Sequence, residues 1–214
     1  MAQEIESKKA LTPASASSPL PKMNYEEFLS WAEDGSHVEW VDGEVIIMSP
    51  TSHQHQSIAD FLTALLRHFV EANELGIVLS APFQMKLSTR PSGREPDVMF
   101  VSNERLSSLK NAFLDGPADL AIEIISPESE ARDRIEKFSE YEKARVLEYW
   151  LLDPVRKQAE FYFLSDDGKY FIAPVDAHGV FHSRVLDGLY LKIDWLFQEP
   201  MPPLMSILKE WKIV

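Results

Sequence analysis

The sequence contains no cysteine among its 214 residues. Disulfide bonds and thiolate metal sites are therefore excluded, and any bound metal must be held by Asp, Glu, His or carbonyl oxygen atoms. Ligands of this kind favour hard cations. No run approaches the roughly 18 consecutive apolar residues of a membrane span, and the N-terminus has no apolar signal-peptide core. We therefore expect a cytoplasmic protein without a membrane segment.

Basic residues are also scarce. The chain has 21 Lys and Arg residues against 34 Asp and Glu residues, a net charge of −13. This balance argues against a broad electrostatic surface for nucleic acid. Hydrophobic residues make up 45% of the chain and aromatic residues 11%, which is typical of globular proteins. Residues 1–22 lack hydrophobic periodicity, so we expect a flexible N-terminal tail followed by a single domain over residues 23–214.

The N-terminal third predicts a short helix, a hairpin and a long helix. Asn24 and Glu27 form a capping-box pattern at the start of "NYEEFLSWAED". The dipeptide Asp42-Gly43 favours a tight turn inside "HVEWVDGEVIIMS". Between residues 53 and 73 the apolar residues recur with the spacing of an amphipathic helix, and we expect Gly76 to end it.

The remaining segments complete a mixed α and β pattern. "IVLSAPFQMKLS", "EPDVMFV" and "DLAIEIIS" resemble strands and should be sheet neighbours. Residues 131–145 predict a helix, "EYWLLD" a buried strand, and "AEFYFL" and "KYFIAPV" two strands around a turn at 166–168. A last strand near "HSRVL" and a helix in "LMSILKEW" follow. The order predicts an α/β (α+β) fold with a mixed central β-sheet flanked by helices and an N-terminal β-hairpin.

Two of the predicted strands each place one acid among apolar residues. Asp97 precedes Val98, and Glu123 lies between Ile122 and Ile124. An unpaired carboxylate in such a setting needs a partner or a cation, because its desolvation is costly. If the strands are neighbours, the two acids lie close enough to share a divalent cation such as Mg²⁺. The alternative is that each acid pairs with a nearby arginine.

A lysine follows on the next predicted helix. Asp133, Lys137 and Tyr141 recur at four-residue intervals, so the lysine could lean over the carboxylates while Ile135 and Phe138 pack the helix on the sheet. An exposed Asp–Lys pair that contributes little to stability is the alternative interpretation.

Taken together, these segments resemble the Uma family of restriction-endonuclease-like proteins, a branch of the PD-(D/E)XK nuclease superfamily. The resemblance rests on "VEWVDGEVIIMSP", "HQSI", "EPDVMFV", "DLAIEIISP", "RDRIEKFSEY" and "EYWLLDP", in this order over most of residues 24–197. It implies a restriction-endonuclease-like fold and a Mg²⁺-dependent or Mn²⁺-dependent endonuclease acting on DNA.

The resemblance also implies which residues form the site. Asp97 and Glu123 would bind the metal, with the main-chain carbonyl of Ile124 as a further ligand. The superfamily motif places a lysine two residues after the second acid, but this chain has Ile125 there. The resemblance therefore assigns the catalytic lysine to Lys137 on the following helix. Glu39 and His55 also fall in matching segments and are candidate catalytic residues.

Several interpretations stay open. A catalytically inactive interaction module with the nuclease fold would account for the acidic composition, and a hydrolase of smaller phosphate esters is a third reading. Two-fold dimers suit double-strand cleavage, and "AEFYFL" could pair across the axis of a homodimer. A nuclease would need positive charge only in its cleft, for which the candidates are Lys86, Arg90, Arg94, Arg132 and Arg134.

Overall fold

The computed structural model describes residues 21–32 and 36–214. The tail predicted for residues 1–22 therefore lies outside the described residues, except for its last two positions. Among the described residues, no helix combines the length and the apolar character that crossing a membrane requires.

The described chain contains both helices and strands, with most strands in two runs that are separated by helices. The helices are α1 (Tyr25–Trp31), α2 (His53–Ala72), α3 (Phe138–Ala144), α4 (Asp194–Phe197) and α5 (Leu204–Glu210). A 3₁₀ segment spans Asn103–Ser108, and a π-helical segment, Arg132–Lys137, leads directly into α3. The strands are β1 (Val38–Val41), β2 (Glu44–Ile47), β3 (Gly76–Ser80), β4 (Gln84–Leu87), β5 (Ser92–Arg94), β6 (Val98–Ser102), β7 (Phe113–Asp115), β8 (Leu120–Ile124), β9 (Glu148–Asp153), β10 (Gln158–Leu164), β11 (Tyr170–Ile172), β12 (Val180–His182) and β13 (Tyr190–Lys192).

These strands form three sheets. The largest has the order β11-β10-β9-β8-β6-β3, the second β2-β1-β5-β4-β7, and β12 pairs with β13. In the six-stranded sheet β8 and β9 are parallel, whereas the other neighbouring strands are antiparallel. The predicted mixed sheet with an N-terminal hairpin is thus confirmed.

Local sequence signals account for the first elements. The side chain of Asn24 accepts a hydrogen bond from Glu27 N while Glu27 bonds back to Asn24 N, as the capping-box pattern predicts. Asp42 and Gly43 both adopt positive φ, 50° and 91°, and join β1 to β2 in the predicted hairpin. Ser52 caps α2, whose apolar face is buried.

Both faces of the six-stranded sheet are covered, so its central strands are apolar on both sides. One face, including Val98, Phe100 and Ile122, packs against the apolar side of α2. The opposite face, including Met99 and Ala121, packs against Tyr141 of α3 and against β4. Because side chains alternate along a strand, Glu123 points to this second face.

Some strand predictions need correction. β3, β6 and β8 are neighbours as expected, but β4 from the same predicted segment belongs to the second sheet. Helix α2 ends at Ala72, and Gly76 begins β3 instead of ending the helix. The strand expected at "HSRVL" is β12, which ends at His182. Residues 183–185 instead donate three hydrogen bonds to the buried carboxylate of Glu148.

The expected homodimer contact through "AEFYFL" is wrong in its location. This segment lies in β10, which already pairs with β9 on one side and β11 on the other. The edge strand next to β10 is β11, where Phe171 and Ile172 are exposed. A homodimer stays a prediction.

Candidate active site

The two predicted acids lie side by side at the end of the paired strands β6 and β8. Asp97 directly precedes β6, instead of lying inside it. The antiparallel register pairs Val98 with Ile122, so its continuation places Asp97 opposite Glu123. One Asp97 oxygen accepts a hydrogen bond of 2.6 Å from Ile124 N, and the other lies 2.9 Å from His55 Nε2. Neither Asp97 nor Glu123 pairs with its own arginine.

Glu123 is held by two side chains of the following helix. Lys137 Nζ lies 2.8 Å from one carboxylate oxygen, and the Tyr141 hydroxyl donates a 2.7 Å hydrogen bond to the other. Lys137 Nζ also lies 3.5 Å from Asp133 Oδ1. The stripe of Asp133, Lys137 and Tyr141 therefore faces the carboxylates as predicted. The alternative interpretation, an exposed Asp–Lys pair, is wrong because both residues are buried.

The stripe lies where the helix is locally widened. Asp133 and Lys137 both belong to the π-helical segment and both are buried. π-Helical turns are rare and frequently occur at functional sites. Ile135 was expected to pack on the sheet, but its side chain is 68% exposed. It lies midway between Asp133 and Lys137 in sequence, hence on the opposite side of the helix, whereas Phe138 packs against the core as predicted.

Glu39 lies behind the lysine and is fully buried. Its carboxylate lies 2.8 Å from Lys137 Nζ and 2.8 Å from Arg94 Nη1. Burial alone would raise the pKa of Glu39, but these two cations lower it to about 2. Glu39 thus contacts Lys137 and not the two strand acids, and it holds the lysine side chain from the side away from the cleft.

Charge in this cluster is unevenly matched. Burial raises the pKa of Glu123 well above its ordinary value, Lys137 opposes this, and the nearby acids Asp133, Asp97 and Glu39 raise it further. Burial alone would lower the pKa of Lys137, but the surrounding carboxylates raise it, so the amine stays protonated. The ammonium group of Lys137 therefore lies within 3.5 Å of three carboxylates, those of Glu39, Glu123 and Asp133.

The cluster opens into a cleft that leaves about 100 Å³ for water-sized groups. Of the five side chains predicted for the site, four line the cleft, namely His55, Asp97, Glu123 and Lys137, and Glu39 does not. Ile124, whose main-chain carbonyl was the predicted extra ligand, also lines the cleft. Sequence and structure thus agree on which residues meet, while their chemical roles stay predictions.

Most of the basic residues proposed for the cleft lie elsewhere. Arg94 is completely buried and makes a two-bond contact with Glu140. Arg90 pairs with Asp42 and Glu140, and Arg134 with Asp153 and Glu160, so these charges are already neutralised. Lys86 lies over the ring of Tyr25, away from the cleft. Of the five, Arg132 alone lines the cleft.

Glu95 is a cleft residue that the sequence reasoning missed. It is buried, and Gln84 Nε2 donates a 2.7 Å hydrogen bond to one of its oxygens. Burial raises the pKa of Glu95 to about 7. Its position two residues before Asp97, in a short segment between two buried strands, was the available signal.

The donor set fits a hard divalent cation. Asp97 and Glu123 supply carboxylate oxygens, each of which can accept more than the one hydrogen bond it has. Asp133 Oδ1, in the same cleft, is buried and has no hydrogen-bond partner within the part of the chain that the structure describes. Nowhere in the described chain do three or more His, Asp or Glu side chains form a ready metal site. A cation here would therefore need carbonyl, water or substrate oxygens, as Mg²⁺ commonly does.

The mixed sheet, with acids on adjacent strands and a lysine from the next helix, places the protein in the restriction-endonuclease-like fold class. The chain belongs to the Uma2 family, because the family model described as "Putative restriction endonuclease" matches residues 25–194.

Two relatives are similar over most of their lengths. An uncharacterised protein of Synechocystis sp., slr1290, is 26% identical over 186 residues, which cover 86% of this chain and 96% of that protein. A crystal structure titled as "a putative nuclease belonging to DUF820" from Anabaena variabilis superposes with a TM-score of 0.68 and 19% identity, covering 82% of this chain and 97% of the other. At this identity the second likeness establishes the fold.

Proposed function

We propose that the protein is a metal-dependent endonuclease that hydrolyses DNA phosphodiester bonds. The observation that carries this proposal is that Asp97 and Glu123 lie opposite each other on neighbouring chain segments and line one cleft, with Lys137 2.8 Å from Glu123. Membership of a family described as putative restriction endonucleases supports the same activity. The cofactor we propose is Mg²⁺, or Mn²⁺ in its place.

Each side chain has a part in this mechanism. Asp97 and Glu123 would hold the cation, and the Ile124 carbonyl would be a further oxygen donor. When bound, the cation would polarise a phosphate oxygen and lower the pKa of an attacking water molecule. Lys137 fixes the orientation of Glu123 and offsets part of the negative charge of the cluster. His55 holds Asp97 in position through its 2.9 Å contact, as partners of metal ligands commonly do.

Cleavage of supercoiled plasmid and of linear duplex DNA, in Mg²⁺, Mn²⁺ or EDTA, tests the proposal. Asp97→Asn keeps an oxygen that can accept the Ile124 N–H bond but removes the charge, so we expect a folded protein that no longer nicks DNA. Asp187→Asn changes an exposed turn residue and serves as the control. Equal cleavage by wild type and Asp97→Asn would contradict the proposal. Turnover of a nucleotide phosphodiester without cleavage of duplex DNA would indicate the smaller-ester alternative.

A non-catalytic interaction module is the second candidate. The observation that favours it is that both oxygens of Glu123 already have protein partners, in Lys137 and Tyr141. Isothermal titration with Mn²⁺ separates the candidates. A nuclease should give binding heat that disappears in Glu123→Gln, whereas the module should give no heat that depends on Glu123.

A homodimer and a cytoplasmic location belong to the same proposal. Double-strand cleavage suits two sites, one for each strand, and a two-fold dimer would supply them. Light scattering during gel filtration, with and without duplex DNA, measures the number of copies. A monomer under both conditions would contradict the homodimer and leave the proposed hydrolysis untouched.

A further inference from the structure

The lining of the cleft is too acidic to receive a phosphate without a dedicated cation. Besides two histidines, the charged residues that line it are two cations and five acids, namely Arg132 and Lys137 against Glu95, Asp97, Glu123, Glu128 and Asp133. A phosphodiester must approach this surface if the proposed function is correct, and the following inference rests on that function.

Lys137 is poorly placed to be the group that receives the phosphate. Its side chain is 1% exposed, and its amine is surrounded by Glu123 and Glu39 at 2.8 Å and Asp133 at 3.5 Å. An ammonium group has three donors. The two short contacts, to Glu123 and Glu39, use most of this capacity in a side chain that is almost fully buried, so contact with a substrate would require Lys137 to move or to give up a partner.

Arg132 is in the opposite situation. Its side chain is 19% exposed, and its charged neighbour is Glu39, 3.8 Å from Arg132 Nε. This Nε is buried, and among the described residues it has no hydrogen-bond partner. Glu39 is at the same time held by shorter contacts to Lys137 and Arg94. The guanidinium of Arg132 therefore carries a charge that the protein neutralises only weakly.

We infer that Arg132 is the cation that contacts the phosphate in the cleft, and that Lys137 is a positioning residue for the carboxylates. A guanidinium presents a planar fork of donors that matches two oxygens of a phosphate, whereas an ammonium acts as a point charge. Glu39 links the two cations, so the phosphate contact lies next to the acids that would hold the metal ion. The substrate class assigned is a phosphodiester anion bound through two of its non-bridging oxygens.

Binding of a fluorescent DNA duplex, measured by anisotropy with Ca²⁺ replacing Mg²⁺, tests the inference without relying on cleavage. Arg132→Gln should weaken binding about 10-fold or more and lower the salt dependence of log K by about one unit. Arg132→Lys should retain the salt dependence but bind more weakly than wild type, because it loses the fork. Arg134→Gln is the matched control, since Arg134 lies two residues away and pairs with Asp153 and Glu160 outside the cleft.

Steady-state kinetics of DNA cleavage should show different effects of the substitution on KM and on kcat. Loss of the Arg132 contact should mainly raise KM. If folded Arg132→Gln binds and cleaves like Arg134→Gln while wild-type cleavage persists, the inference fails and the proposed function stands. If Arg132→Gln does not fold, Arg132→Lys decides, and wild-type affinity in that variant would overturn the inference. If wild type neither binds nor cleaves DNA, both fail together.

Discussion

The buried lysine offers the sharpest test of the cluster, because Lys137→Met keeps most of the side-chain volume and removes the charge. Wild-type Lys137 lies 2.8 Å from Glu123, 2.8 Å from Glu39 and 3.5 Å from Asp133. Removing one partner of a buried ion pair typically costs about 3–5 kcal/mol. Domains of this kind are stable by only about 5–15 kcal/mol. We therefore expect the variant to lose a large fraction of its stability at pH 8.

The loss should depend on pH. Burial already raises the pKa of Glu123 well above its ordinary value and Lys137 opposes this, so removal of the ammonium group should raise the pKa of Glu123 further in the folded variant. Raised carboxyl pKa values give a contribution that is present at low pH and lost as pH rises through the folded pKa. The stability difference between wild type and Lys137→Met should therefore be larger at pH 8 than at pH 5.

Urea unfolding in EDTA at both pH values measures this difference. The control is Lys143→Met, which changes an exposed lysine on α3 and should alter stability by no more than about 0.5 kcal/mol. Should Lys137→Met match Lys143→Met at pH 8, the lysine would not be the cation that balances the buried carboxylates, and the description of the cluster would be wrong.

Three further predictions concern the fold. Burial alone would raise the pKa of Glu142, but the Tyr170 N–H and Lys169 lower it. Its contribution to stability is therefore present above about pH 4.5 and lost at lower pH. The loss of unfolding free energy in Glu142→Gln, measured by urea unfolding, should shrink from pH 7 to pH 3. Gly76→Ala should destabilise the protein by about 2 kcal/mol or more, because φ is 151° and the new Cβ would lie 2.1 Å from a backbone oxygen of β6; an unchanged melting temperature would contradict this. Leu62→Ala, in the fully buried face of α2, should cost about 2–5 kcal/mol in the same assay, and a loss below 1 kcal/mol would contradict its packing.

The elements that the sequence predicted well are those with strong local signals. The Asp42-Gly43 turn, the capping box of α1 and the periodicity of α2 each specify a conformation without help from distant residues. The site was also accessible from the sequence, because an acid among apolar strand residues is costly and has to be matched. Two such acids on adjacent strands indicated where to look.

The errors arose where long-range polar contacts override local pattern. Ile135 is exposed because its helix turns a polar face, with Asp133 and Lys137, toward the carboxylates. Arg94 looked like a surface cation, but Glu140 and Glu39 hold it in the interior. Partners 46 and 55 residues apart in sequence leave no periodic signal.

The central claim is that Asp97 and Glu123 share one divalent cation. A crystal structure of the protein soaked in Mn²⁺, with anomalous scattering to locate the metal, tests this claim most directly. We expect a Mn²⁺ peak within ligand distance, about 2.0–2.6 Å, of both carboxylates and of the Ile124 carbonyl oxygen. Mn²⁺ bound only elsewhere, with Glu123 still engaged by Lys137 and Tyr141 and no metal beside Asp97, would contradict the account.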